Sequence, residues 1–206
     1  MPTERVITAQ YLRQPAIATP SYSVTVVPGG PCYRIALALS RRLAVLSGLP
    51  AGPRPHVTIQ MIYGPADSKR MYQTLVDVAA RVRPFVLNVS GVGVLPSLTE
   101  PGKSFINAKL QRTPDLLTLH RLVTQRMQAL GLQTFAASGM EWIPHLSIVS
   151  GSFSPTVQRL LLEELQRGLD SCTFLVNALH LNRRLPNGQW CTLATVPLLG
   201  DLDHIG

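Results

Sequence analysis

Apolar positions fall into short alternating runs and longer helically spaced runs, and together they divide the chain into a regular series of elements. Tyr22 to Val27 reads as a strand, and the spacing over Tyr33 to Ser47 predicts a helix that Gly48 and Pro50 stop. A strand over about residues 56–63 comes next. Asp67 then caps a helix with Met71, Leu75, Val78 and Val82 on one face, which ends before Pro84 and gives way to a strand from Phe85 to Val89. After a loop rich in Gly, Pro and Ser, Ser104 to Leu110 reads as a strand, and Thr113-Pro114 supplies the N-cap and first-turn proline of a helix running to Gly131. A strand over 145–150 follows. Ser154-Pro155 opens another helix, with Glu163 and Arg167 spaced for an i,i+4 ion pair and Gly168 placed to end it. A strand from Thr173 to Leu181, a Pro-Asn-Gly turn at 186–188 and a last strand from Gln189 to Val196 close the series.

The order strand, helix, strand, helix, strand therefore occurs twice. Such a chain is expected to be α+β: a duplicated unit forming a bilobal, pseudo-twofold body, with two sheets facing a central groove and helices outside. The expected boundaries are a flexible N-terminal extension at 1–20, one bilobal domain at 21–200 and a C-terminal tail at 201–206. Within the domain the first repeat spans about 21–95 and the second about 103–197.

Each middle strand carries the same pattern. Pro55-His56-Val57-Thr58-Ile59 and Pro144-His145-Leu146-Ser147-Ile148 both read proline, histidine, aliphatic, hydroxyl, isoleucine. Alternation puts His56 with Thr58 and His145 with Ser147 on one face, and Val57, Ile59, Leu146 and Ile148 on the core face. If the copies meet, they offer an acid, a base and two hydrogen-bond donors to a phosphodiester. The equivalent positions of the two strands make that meeting the expectation, despite the distance between the motifs in sequence.

Composition narrows the setting. The 206 residues are 46% hydrophobic and only 15% charged, enough for a real core and incompatible with whole-chain disorder. A formal net charge of +8 favours polyanionic partners such as RNA or nucleotides, although only Arg41-Arg42 and Arg183-Arg184 cluster. Cys32, Cys172 and Cys191 are odd in number and lack a C-x-x-C spacing, so neither a disulfide framework nor a zinc site is suggested. No secretory signal or membrane-length apolar run is present, which points to a soluble, cytoplasmic protein with reduced thiols, expected to be a monomer. Gly102-Lys103-Ser104 resembles the end of a P-loop, yet Ser97 stands where its first glycine belongs and a strand follows. There is no H-E-x-x-H or G-x-S-x-G motif.

The two motifs in this order resemble those of the 2H phosphoesterases, and especially the bacterial 2′-5′ RNA ligase-like branch. The similarity also takes in the strand at Tyr22, Pro84-Phe85-Val86-Leu87-Asn88-Val89 leading to Gly91 and Gly93, the leucine-rich helix before Trp142, and the closing hairpin. Ser147 stands where threonine is common, and the N-terminal extension precedes the first family strand. The resemblance implies a metal-independent enzyme with no cofactor that acts on 2′,3′-cyclic phosphates or 2′-5′ phosphodiesters, some relatives joining RNA ends reversibly. It makes His56 and His145 the acid/base pair, with Thr58 and Ser147 on the non-bridging phosphate oxygens, and RNA ends or a small nucleotide phosphodiester the partner. The alternatives are hydrolysis of a cyclic or 2′-5′-linked signalling nucleotide, and an RNA- or nucleotide-binding module without turnover.

Further candidates surround the motifs. Phe105, Asn107 and Lys109 share the face opposite Ile106, Ala108 and Leu110, so Lys109 is a candidate phosphate ligand and Phe105 a candidate base-stacking ring. Tyr63 and Trp142 flank the motif strands as further stacking candidates. His120, His180 and His204 have no matching partner and read as structural or solvated.

Overall fold

A computed structural model of the chain describes residues 20–49, 54–97, 100–135, 141–170 and 172–200. Most of the expected N-terminal extension, the tail at 201–206 and His204 lie outside them. The elements run β1 (Tyr22–Val26), α1 (Pro31–Leu46), β2 (His56–Tyr63), α2 (Ser68–Ala79), β3 (Phe85–Pro96), β4 (Ser104–Leu110), α3 (Pro114–Ala129), β5 (Gln133–Thr134), β6 (His145–Gly151), α4 (Pro155–Leu169), β7 (Thr173–Val176), β8 (Ala178–Arg184) and β9 (Trp190–Pro197). This is the expected α+β class. Three helix starts form as the sequence dictates: Asp67 accepts from the amides of Lys69 and Arg70, Thr113 from Leu116, and Ser154 from Val157. Each cap satisfies an amide with no partner inside its helix and is worth about 1 kcal/mol.

All strand pairs are antiparallel, in the order β7-β3-β4-β6-β2-β1-β8-β9, with β5 attached to β2. The two histidine strands lie at the middle of this path. They pair over only two residues, His56 with Ser147 and Val57 with Leu146, so two four-strand halves join in one hydrogen-bonded sheet at a narrow seam. Each half is built from both repeats. β3, from the first, pairs with β4 and β7, while β8, from the second, pairs with β1. The helices follow: α1 and α4 pack together and against β6, β7, β3 and β4, whereas α2 and α3 pack together and against β2, β8 and β9.

Val57, Ile59, Leu146 and Ile148 are buried as alternation predicts, together with Val24 and Val26 of β1 and with Leu43, Met71, Leu75, Leu116, Leu119 and Leu165 from the helices. One face of the sheet is thus covered by helices, and the histidines occupy the other. No helix among the described residues is long and apolar enough to cross a membrane. The cysteines are free thiols.

Four local expectations are corrected. The strand expected to stop at Val89 continues to Pro96, through a bulge at which Gly91 takes φ 146°, a backbone region that disfavours side chains. The strand expected from Thr173 to Leu181 breaks at Asn177, because β7 bonds to β3 at one end of the sheet and β8 to β1 in the other half. Gly168 does not end its helix. It lies within α4, where a Cβ would stand 2.5 Å from Leu39 Cδ1, so its glycine admits α1. Arg167 pairs with Glu164 at 2.7 Å rather than with Glu163, whose backbone carbonyl it reaches instead.

Candidate active site

At the seam the two motifs lie antiparallel. His56 is opposite Ser147, and the same register sets His145 opposite Thr58. Each imidazole therefore neighbours the other motif's hydroxyl. The histidines are diagonal neighbours, a relation that sets residues about 7–8 Å apart, with their Cβ atoms somewhat closer. One residue beyond each hydroxyl both strands bulge: Ile59 is passed over between Thr58 and Gln60 in the pairing with β1, and Ile148 between Ser147 and Val149 in the pairing with β4. Each bulge turns two successive side chains to the helices and ends the motif at the same point.

The imidazoles are oriented alike. His56 Nδ1 lies 2.9 Å from the Arg54 carbonyl oxygen, and His145 Nδ1 lies 2.8 Å from that of Ile143, two residues back in each case. A carbonyl only accepts, so Nδ1 carries the proton and Nε2 is left for chemistry. Neither Nε2 has a hydrogen-bond partner among the described residues. Burial holds both rings below the ordinary histidine pKa, against the opposing pull of those carbonyls, and His145 is lowered further by His56 itself. Both residues remain partly exposed. The arrangement can hold one proton between two imidazoles and point two hydroxyls at a tetrahedral anion.

Lys109 joins this group, its Cα paired with that of His145. Its side chain runs across Gly93, where a Cβ would stand 2.5 Å from Lys109 Cε. Phe105 shares the face but sits opposite Ser150, about 13 Å along β4 from Lys109. Tyr63 is not brought to the site. It closes the far end of β2, about 23 Å along the strand from His56, and is 6% exposed, so little of its ring is free to stack a base. Trp142 packs inside the fold: its ring stacks on His120 with centroids 4.0 Å apart, and its Nε1 donates to the Thr58 carbonyl at 3.0 Å. His120 is pushed down to about 4, by burial first and then by Arg112.

Two further residues border the motifs, both buried: Thr25, which sequence reasoning did not single out, is opposite Thr58, and Asn107, placed on this face from sequence but given no role, is opposite Ser147. The signal for Thr25 was available, since Ser23 and Thr25 alternate with Val24 and Val26. Among the described residues no three His, Cys, Asp or Glu side chains converge in a way that could hold a metal ion.

A family model described as the 2′-5′ RNA ligase superfamily matches residues 39–188. No curated protein sequence matches significantly. Among solved structures, TT0787 of Thermus thermophilus is similar, with a TM-score of 0.57 at 17% identity, over 88% of this chain and 99% of that one. E. coli LigT in its apo form gives a TM-score of 0.58 at 12% identity, over 87% of this chain and 97% of that one. LigT complexed with 3′-AMP gives 0.52 at 12% identity, over 88% and 99%. At these identities the likeness is one of fold.

Proposed function

Because the chain belongs to the 2′-5′ RNA ligase superfamily, we propose that it is a phosphoesterase that opens RNA-type 2′,3′-cyclic phosphates or cleaves 2′-5′ phosphodiesters by paired-histidine acid/base catalysis. The observation that carries this reading is the seam: two imidazoles with the same tautomer, each beside the other motif's hydroxyl. A nucleotide as substrate is consistent with the 3′-AMP held by LigT, which shares the fold.

In the proposed step one histidine is neutral and the other protonated. The neutral Nε2 accepts a proton from water as the water oxygen bonds to phosphorus. The protonated Nε2 gives its proton to the ribose oxygen as that oxygen's bond to phosphorus breaks. Thr58 and Ser147 hydroxyls donate to the non-bridging oxygens, and Lys109 adds positive charge where negative charge grows. The product is a phosphomonoester beside a free ribose hydroxyl, with the histidines' protonation states exchanged. With the 5′-hydroxyl of a second strand in place of water, the same steps on a cyclic phosphate join RNA ends: its oxygen bonds to phosphorus as the ring oxygen leaves and takes the proton, and cleavage of that linkage is the reverse.

The test is turnover of a nucleoside 2′,3′-cyclic phosphate and of a 2′-5′ dinucleotide in the presence of EDTA. His56→Ala and His145→Ala should each lower kcat/KM by roughly 10²–10⁴-fold, the range for a positioned acid or base. Thr58→Ala and Ser147→Ala should each cost about 10²-fold, as loss of one anion-stabilising donor does. Turnover that survives both histidine substitutions would overturn the site. Absence of wild-type turnover on both substrates, with nucleotide binding retained, would make the protein a binding module.

A further inference from the structure

Two strands from the motifs, the halves of the helix-free face stop resembling one another. On the β4 side, the β3 positions opposite Asn107 and Lys109 are Gly93 and Gly91, so the floor is bare and the lysine chain lies across it. On the β1 side, the β8 positions opposite Thr25 and Ser23 are His180 and Asn182, and β9 adds Thr195 and Thr192 beside them. One half offers a cation over glycine. The other offers a row of uncharged hydrogen-bonding groups.

That row is organised. Asn182 Nδ2 donates to Thr25 Oγ1 at 3.0 Å and to Ser23 Oγ at 3.4 Å, while its Oδ1 accepts from the Thr192 hydroxyl at 2.8 Å. This buried amide is saturated and fixes the hydroxyls around it. Thr195 Oγ1 and His180 Nδ1 are 3.0 Å apart, and His180 Nε2 has no hydrogen-bond partner among the described residues. Burial lowers the His180 pKa, which favours the neutral ring. Farther along the same face Arg184 and Trp190 are opposite one another, and Trp190 is 38% exposed.

We propose that this β8–β9 face is the nucleoside subsite: His180 Nε2 and the Thr195 hydroxyl take the base or ribose attached to the scissile phosphate, and Trp190 with Arg184 takes the next nucleotide of the strand. The proposal rests on the phosphoesterase reading for the position of that phosphate. His180 is two strands from Thr58, about 10 Å, which suits the reach from a phosphate to the base of its own nucleotide. Neutral donors and acceptors fit a base edge or ribose, whereas the Lys109 half fits the anion. An exposed indole opposite a guanidinium is the chemistry that stacks a base and pairs its phosphate.

The experiment compares a nucleoside 2′,3′-cyclic phosphate with a tetranucleotide ending in the same group. Wild-type kcat/KM should be about 10-fold or more higher for the tetranucleotide, and Trp190→Ala should bring that ratio close to one, since one stacked base is worth roughly 5- to 150-fold. His180→Ala should raise KM about 10-fold for both substrates and leave kcat nearly unchanged. A wild-type ratio of one, a ratio that Trp190→Ala does not change, or a KM indifferent to His180→Ala would overturn the subsite. Should neither substrate turn over, the cyclic-phosphate reading fails and the subsite is judged by fluorescence anisotropy of a labelled 3′-phosphorylated tetranucleotide. Binding weakened at least about 5-fold by Trp190→Ala would then uphold it, and equal binding would overturn it.

Discussion

A histidine works as acid or base at whichever nitrogen nothing else holds, and here two backbone carbonyls make that choice. With Nδ1 of His56 and His145 committed to Arg54 and Ile143, both rings present Nε2, and both titrate below the usual range because burial penalises the cation. The proposed reaction needs one ring protonated and one neutral. At pH 7 most of the free enzyme holds two neutral rings, so the acid is scarce. As pH falls the singly protonated pair accumulates, and at still lower pH the base is lost. The profile of kcat/KM against pH should therefore be a bell with its maximum on the acid side of 6.5, measured on a cyclic phosphate; a maximum above pH 7 would contradict it. His120 bears on stability instead: burial lowers its pKa as well, and Arg112 lowers it further. Its pKa is about 4 in the folded chain against about 6.5 when unfolded, so its contribution is fully present above 6.5 and is lost as pH falls toward 4. Tm should decline across that window, and His120→Gln should flatten the decline. The histidine pair was legible in sequence because the motif is repeated. The carbonyls that fix its tautomers were not, since they depend on the path of the backbone and leave no side-chain pattern.

At the scale of elements, the two motif strands touch over so few residues that something else must hold their relative position. Trp142 does part of this. It precedes β6, yet its indole N–H reaches the Thr58 carbonyl in β2, while the Arg112 guanidinium donates to the Trp142 carbonyl at 2.8 Å and His120 backs the indole ring. Trp142→Phe keeps most of the aromatic packing and removes that hydrogen bond, at a cost of about 1–2 kcal/mol. A Tm lower by roughly 2–8 °C is expected for a chain of this size. If Trp142 positions the seam, kcat should fall about 10-fold on the still-folded protein while KM changes little; unchanged kcat would reduce the residue to a packing role. Sequence placed Trp142 beside the motif but offered no sign of whether its ring faced a ligand or the core. Caps and helix starts were legible because Asp67, Thr113 and Ser154 act within one turn of themselves. The break at Asn177 was not, because an uninterrupted β-rich run says nothing about which partner each of its halves will find.

Across the whole molecule, the duplication seen in sequence is not a division into two independent bodies. Alternation and helical spacing describe what each segment buries, and from that the two repeats and the α+β class were readable. Pairing between distant strands is carried by no local pattern, so the exchange of β3 and β8 between halves appears only in the fold. The exchange has an energetic consequence. A fragment covering residues 20–97 would keep β1 paired with β2, but β3 would lose both β4 and β7, and α1 would lose α4 and β6. A fragment covering residues 100–200 would keep β8 with β9 but strip β8 of β1, β6 of β2 and α3 of α2. Each would expose an apolar helix face and an unpaired strand edge, too little burial to offset the chain entropy of a domain so small. Neither fragment alone should show a cooperative thermal transition by circular dichroism, whereas the intact chain should unfold in one transition. Mixed from denaturant, the two fragments should recover the native spectrum, because every missing partner is on the other piece. If either fragment melted cooperatively on its own, the halves would be separable lobes and the strand exchange would not bind them into a single folding unit.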